Sequence, residues 1–354
     1  MMELAIAEIP EVRCLGRTAW QEDGSLAVFW TASGIEMTVS ATDLYLALDS
    51  FYRDLEIWID VVIDGELSQR VQLRHGMNYV PVFQRMDPAN PRTVRILRDT
   101  QAMAQDAVSV LKLNYIEADD GADFHAPKEE PELRLEIIGD SITSGEGAGL
   151  ERQVEWVPAV FSAVNSYGYL TAEKLHARVN ILSSSGWGLY ASWDGQTKCA
   201  LPPYYHEVCG LTETEEDRTY GSLEKWDFAS YRPDCIVINL GTNDSGALQN
   251  TGKWPREEYH TLFNRAAVKF LHTLRSLNPE SRLLWAYGML GNDMADWIRE
   301  AIDQYRGESG DDRVSYFEFA NCGPDRLGAR SHPNRTAHEE AAEALAAEIR
   351  RILR

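Results

Sequence analysis

The sequence predicts two units of different class: an antiparallel, jelly-roll-like β-sandwich over residues 1–125 and an α/β unit built on a parallel sheet over residues 126–354. Three observations predict this. From about residue 11 to 118 short strand-like runs follow one another with almost no helical period; a stretch rich in charge, Gly and Pro then intervenes; beyond it, apolar strands alternate with amphipathic helices. At 354 residues two domains are the expectation, and 44% apolar content suffices for a core in each.

In the first part, the runs 26–30, 35–39, 44–48, 57–63 and 108–113 are rich in β-branched and aromatic residues and are separated by turn signals. Asp64-Gly65 reads as a hairpin turn, and Pro81, Pro88 and Pro91 suit edges and loops. The stretch 119–131 reads as a linker. After it the periodicity predicts strands at 134–139, 179–183, 235–240, 282–287 and 313–319. Helices are predicted at about 160–176, 256–276, 292–306 and 336–353. Pro255 with Glu257 and Glu258 suits a helix start, and Asn278-Pro279 marks that helix's end. The irregular stretch 190–230, holding Trp193, Pro202, Pro203, Tyr204, Tyr205 and Trp226, reads as a long aromatic insertion, a candidate substrate loop whose aromatics could equally pack.

Composition excludes some partners. With 34 basic against 55 acidic residues the net charge is −21, which repels nucleic-acid phosphates and anionic lipid surfaces. The segment 1–10 lacks the basic start and the apolar length of a signal peptide, and no run approaches a membrane span, so a cytoplasmic protein is expected; a leader already removed would leave no trace. Five cysteines without C-x-x-C spacing indicate neither a disulfide framework nor zinc, although Cys199 and Cys209 could pair in an exported protein. His332 and His338, six apart, would not share a helix face, so no metal and no cofactor are expected. The oligomeric state is left open.

The chemistry is expected where the strand 134–139 stops. Leu135, Ile137 and Ile138 suit a strand buried on both faces, Gly139 permits a sharp turn, and Ser141 then begins a turn or helix whose free N–H groups favour an oxyanion. The run Gly145-Glu-Gly-Ala-Gly149 falls short of a dinucleotide loop, because position 150 is Leu, and the surroundings of Ser141 do not fit the G-x-S-x-G elbow. Three further blocks sit at expected strand ends: Ser183-Ser-Ser-Gly186-Trp-Gly188, Asn239-Leu-Gly241-Thr-Asn243-Asp244 and Ser331-His332-Pro333-Asn334. In an open α/β sheet those ends converge on one crevice.

Together with Gly139-Asp140-Ser141, these blocks resemble the SGNH, or GDSL-type, hydrolases, in the family's order and over the last two thirds of the chain. The preceding sandwich and Trp285-Ala-Tyr-Gly-Met289 make the whole chain similar to carbohydrate esterase family 2, whose members remove acetyl groups from plant polysaccharides. The resemblance implies a three-layer, flavodoxin-like parallel sheet. It implies Ser141 as nucleophile, His332 as base, and an oxyanion hole from the Ser141 N–H, the Gly186 N–H and the Asn243 amide. An unassisted alcohol is a poor nucleophile near neutral pH, and an imidazole can take its proton and return it to the leaving hydroxyl.

The sequence departs from the commonest family pattern, which has an aspartate three residues before the histidine; here that position is Ala329, followed by Arg330. The resemblance to family 2 implies instead a Ser–His dyad whose imidazole is oriented by a backbone carbonyl; apart from the resemblance, Asp325 is a candidate substitute acid, with a surface-loop aspartate as the alternative. Asp140 and Asp244 are expected to hold the turns around Ser141 and Asn243. Trp187 and Trp193 are candidates for stacking on a sugar face, with core packing as the alternative. The expected activity is a serine esterase removing acetyl groups from xylo- or manno-oligosaccharides. A short-chain or lipid esterase on the same fold, and a catalytically dead carbohydrate-binding protein, are the competing readings.

Overall fold

Alternation of buried and exposed residues along strands such as Gly76–Phe83 gives the first part of the chain one apolar face per strand, and two such faces make a core. A computed structural model describes residues 1–9, 11–127, 131–150 and 152–354. They form two units: residues 1–130, 157–159 and 206–226 in the first, and residues 131–156, 160–205 and 227–354 in the second.

The first unit is a sandwich of two antiparallel sheets. One runs Thr18–Trp20, Leu26–Val28, Ser109–Ala118, Leu44–Tyr52, Gly76–Phe83, with Met2–Ala5 also on Ser109–Ala118. The other runs Asp123–His125, Gly34–Ser40, Arg92–Arg98, Trp58–Ile63, Glu66–Gln72, with Arg13–Leu15 also on Gly34–Ser40. Leu46, Leu48, Leu111 and Leu113 from the first sheet and Ile35, Met37, Val61 and Ile96 from the second are buried in a common core. Asp64 and Gly65 both take positive φ, 52° and 89°, which is the backbone a two-residue hairpin between Trp58–Ile63 and Glu66–Gln72 requires. Pro81 lies in Gly76–Phe83, an edge strand, where a missing N–H costs no ladder bond.

Two expectations are corrected here. Part of the stretch read as a linker is a strand: Asp123–His125 pairs with Thr38–Ser40, while the charged residues 128–130 lie outside the described residues. The irregular stretch 190–230 is not one insertion, because residues 206–226 pack into the sandwich unit. Trp30 Nε1 donates to the Val208 carbonyl at 2.6 Å, Arg17 donates to the Glu207 carbonyl at 2.9 Å, and Phe51 stacks on Tyr220.

The second unit is a five-stranded parallel sheet: β1 (Leu133–Gly139), β2 (Ala177–Ser183), β3 (Cys235–Asn239), β4 (Arg282–Tyr287) and β5 (Val314–Glu318), in the order β2-β1-β3-β4-β5. This is the flavodoxin-like order, which reverses direction beside β1. Near-continuous burial of β1, β3 and β4 fits strands covered on both faces. The helices are α1 (Tyr167–Leu175), α2 (Thr242–Thr251), α3 (Arg256–Leu277), α4 (Ala295–Ser309) and α5 (Arg335–Ile352).

Two helix starts depart from expectation, and one helix was not expected at all. The first begins at Tyr167, not near 160, because Ser166 caps it and residues 160–162 instead bond the glycine-rich turn: Gly147 and Gly149 donate to the Val160 carbonyl, and Ser162 donates to the Gly145 carbonyl. The fourth starts at Ala295, three residues late. Helix α2 was not expected, since Thr, Asn, Asp, Ser and Gly open it with poor intrinsic propensity.

Candidate active site

Register brings the motif blocks to one level. Gly139 on β1 is aligned with Ser183 on β2 and with Asn239 on β3, so the three central strands end together and their turns emerge side by side. The turns are also bonded to one another. Ser144 Oγ meets Ser183 Oγ at 2.8 Å, and the Ser184 N–H donates to the Gly139 carbonyl at 3.2 Å. Asn243, in the first turn of α2, donates its amide to the Trp187 carbonyl at 2.9 Å and to Asp140 Oδ2 at 3.2 Å.

The histidine arrives from the loop before α5. That loop is closed by the Gly328 N–H on the His332 carbonyl at 2.7 Å, and it lies directly on the nucleophile turn. Gly147, at φ 89°, is the contact point: a Cβ there would stand 2.8 Å from His332 Cβ and from the Pro333 carbonyl oxygen. Ser141, 6% exposed, has its Oγ 2.8 Å from His332 Nε2. His332 Nδ1 is 2.9 Å from the Arg330 carbonyl oxygen. A carbonyl only accepts, so Nδ1 carries the proton and Nε2 is left with the lone pair that faces the serine hydroxyl.

Asp325 is not part of this chain of bonds. Its carboxylate accepts from Arg326 Nη1 at 2.7 Å and is 75% exposed, while its carbonyl accepts from Asn334. The acceptor that faces His332 Nδ1 is the carbonyl of Arg330.

Two fully buried carboxyls brace the site. Asp140 accepts from the Ile142 N–H at 3.1 Å, and burial pushes it up to about 7. Asp244 accepts from the N–H groups of Leu189, Tyr190 and Ala191 and from the Tyr259 hydroxyl at 3.1 Å; burial also raises it, against the pull of those donors. It therefore fastens the loop after Gly186 to the start of α2, rather than its own turn.

A profile described as the GDSL-like lipase/acylhydrolase family matches residues 137–340, more than half of the chain. The chain belongs to the GDSL-like lipase/acylhydrolase family. A second profile, the carbohydrate esterase 2 N-terminal domain, matches residues 14–127. The chain is 28% identical to an acetylxylan esterase/glucomannan deacetylase of Cellvibrio japonicus, over 98% of this chain and 90% of that one. It is 26% identical to the cellulase/esterase CelE of Acetivibrio thermocellus, of which it spans only 40%. Among solved structures, an acetyl xylan esterase from the rumen bacterium Butyrivibrio proteoclasticus superimposes with a TM-score of 0.93 at 33% identity, covering 99% of this chain and 98% of that one. The chain is thus a carboxylic ester hydrolase of the GDSL-like family.

For this GDSL-like acylhydrolase, the two tryptophans separate. Trp187 is 7% exposed, with its ring against Tyr204 at 5.3 Å, so it has no free face for a sugar. Trp193 is 56% exposed and lies beside Gly186, whose carbonyl accepts its N–H at 3.1 Å. His338 is buried in α5, accepts from the Tyr167 N–H at 3.1 Å and is pushed down to about 3, mainly by burial. Among the described residues no disulfide joins the five cysteines, and no helix is long and apolar enough to cross a membrane.

Sequence reasoning overlooked Glu146 and the side chain of Arg330. Glu146 is 1% exposed, with Oε1 2.6 Å from Arg330 Nε, Oε2 2.6 Å from Ser185 Oγ and the same Oε2 3.7 Å from His332 Nε2. The available signal was an acidic residue inside a run of small residues, Ser144-Gly-Glu-Gly-Ala148, that has no room for a solvated side chain.

Proposed function

We propose that the protein is a carbohydrate acetyl esterase that removes O-acetyl groups from xylo- or manno-oligosaccharides through a Ser141–His332 dyad and an acyl-enzyme. The observation that carries the dyad is the 2.8 Å contact of His332 Nε2 with Ser141 Oγ, with Nδ1 held on a carbonyl. The substrate class is supported by the activities after which the full-length relatives are named and by the match to the carbohydrate esterase N-terminal domain.

In this reading His332 Nε2 takes the hydroxyl proton as Ser141 Oγ attacks the acetyl carbonyl. The carbonyl oxygen becomes an oxyanion and meets the Ser141 N–H, the Gly186 N–H and the Asn243 amide. That amide donates to the Trp187 carbonyl and to Asp140 Oδ2, so one of these two bonds yields to the oxyanion. The intermediate then collapses: the sugar oxygen leaves with the proton from His332 Nε2, and the acetyl group stays on Ser141. Water, deprotonated by the same nitrogen, attacks the acetyl-serine; the second intermediate collapses as the bond to Ser141 Oγ breaks and His332 Nε2 returns the proton to that oxygen, and the acetic acid leaves as acetate. The exposed face of Trp193 offers a sugar ring an apolar plane beside this centre.

The test is hydrolysis of p-nitrophenyl esters of increasing chain length, together with acetate release from acetylated xylo- and manno-oligosaccharides. A steep fall in kcat/KM beyond acetyl or propionyl supports an acetyl-sized acyl pocket. Rising activity with chain length, with the acetylated sugars untouched, would replace the reading by a lipid or general carboxylester hydrolase.

A further inference from the structure

Acylation of Ser141 leaves His332 transiently as an imidazolium, and on the Nδ1 side that cation meets the Arg330 carbonyl in place of a carboxylate. A carbonyl dipole fixes the tautomer but stabilises the cation less than a full negative charge. A full charge stands on the other side. Glu146 Oε2 lies 3.7 Å from His332 Nε2, beyond hydrogen-bond length and well within the range of a strong charge interaction, and the carboxylate is 1% exposed, where water screens it little.

Its direction is fixed by neighbours from three blocks. Arg330 Nε bonds Oε1, Ser185 Oγ bonds Oε2, and the Glu146 N–H donates to the Ser141 carbonyl at 3.0 Å. One side chain thus joins the nucleophile turn, the Gly186 turn and the histidine loop. Arg330 holds both ends of the imidazole's environment: its carbonyl receives the Nδ1 proton, and its guanidinium holds Glu146. Arg330 and Ser331 take φ values of 54° and 58°, a conformation non-glycine residues hold only where their surroundings impose it. The ion pair to Glu146 is such a constraint.

We propose that Glu146 is a positioning residue that supplies from the Nε2 side the negative charge a third carboxylate would otherwise supply, while its ion pair with Arg330 holds the carbonyl that orients His332. This rests on the dyad reading above. Glu146→Gln keeps the size of the side chain and an oxygen for Ser185, and removes the charge. It lowers kcat about 10- to 100-fold with KM changed less than about twofold, because the charge acts on the imidazolium and not on bound substrate. Arg330→Gln, at a side chain 36% exposed and so tolerant of change, lowers kcat by a smaller factor, and the double variant is no worse than Glu146→Gln alone.

The experiment is steady-state hydrolysis of p-nitrophenyl acetate by the three variants and by Ser141→Ala, with circular dichroism of each. The expected result is the kcat-specific, non-additive pattern. Wild-type kcat in a folded Glu146→Gln, or in Arg330→Gln should Glu146→Gln fail to fold, overturns the proposal; so does a loss confined to KM. An inactive Ser141→Ala beside a fully active Glu146→Gln overturns this inference and leaves the dyad standing, whereas an active Ser141→Ala overturns the dyad itself.

Discussion

His332 places its Nδ1 proton on the carbonyl oxygen of Arg330, 2.9 Å away and two residues earlier in the chain. The bond is local to one loop, so the orientation of the imidazole follows that loop's backbone. Asp325, seven residues before the histidine, is paired with Arg326 and largely in solvent. Asp325→Asn is therefore expected to leave kcat within about twofold, whereas loss of a true triad acid costs on the order of 10⁴. Steady-state kinetics of the variant decides, and a loss of a hundredfold or more would place Asp325 in the mechanism.

The histidine loop rests on Gly147. A methyl group there would enter the space of His332 Cβ and the Pro333 carbonyl, at a backbone φ of 89° that alanine also disfavours. Gly147→Ala is expected to cost more than about 1 kcal/mol of stability and to lower kcat by displacing the imidazole from Ser141. Thermal unfolding and kinetics of the same sample check both effects.

Asn243 is held in the first turn of α2 by the Trp187 carbonyl and by Asp140. As an oxyanion donor, its loss in Asn243→Ala should reduce kcat by about 10²–10³, or roughly 3–4 kcal/mol of transition-state stabilisation. A variant that alters KM alone would reassign Asn243 to substrate binding.

His338 gives a pH signature of the fold. Burial first, and the nearby His332 second, push it down to about 3. The unfolded chain takes up this proton near the ordinary histidine value, about 6.5, while the native state does not, so native stability contributed here is lost as pH falls through 6.5. The slope reaches about 1.4 kcal/mol per pH unit below that point. Asp140 runs the opposite way: raised to about 7, it keeps its proton in the native state over a range where the unfolded carboxyl has lost it, and so lowers stability as pH rises from about 4 to 7. The comparison of wild type with His338→Gln isolates the histidine. Urea unfolding at pH 7.5 and 5 should show the variant's deficit shrinking by about 2 kcal/mol at the lower pH; an unchanged deficit would mean that His338 titrates normally.

Much of the fold was legible because its signals are periodic. Buried runs such as Cys235–Asn239 and the long amphipathic helices Arg256–Leu277 and Arg335–Ile352 carry their period over the whole element. Helix α2 was not, since Thr242-Asn-Asp-Ser-Gly reads as a turn, and the bonds that hold Asp244 and Asn243 come from outside it. The strand at Asp123–His125 was hidden by the charge around it. Residues 206–226 lie between β/α elements in sequence yet belong with the sandwich, through contacts such as Trp30 to Val208 that no local pattern encodes. At the site, the motif blocks pointed by their order to Ser141, Gly186, Asn243 and His332, and strand register and the 2.8 Å contact of Ser141 with His332 bring these blocks together. Glu146 carried only the weak signal of an acidic residue among small ones, and its partner Arg330 lies 184 positions away.

The most direct test of the account is acetate release from acetylated xylo-oligosaccharides by wild type, Ser141→Ala and His332→Ala. The account predicts acetate from wild type alone, with both variants reduced by several orders of magnitude and still folded. Release by Ser141→Ala at the wild-type rate would contradict it.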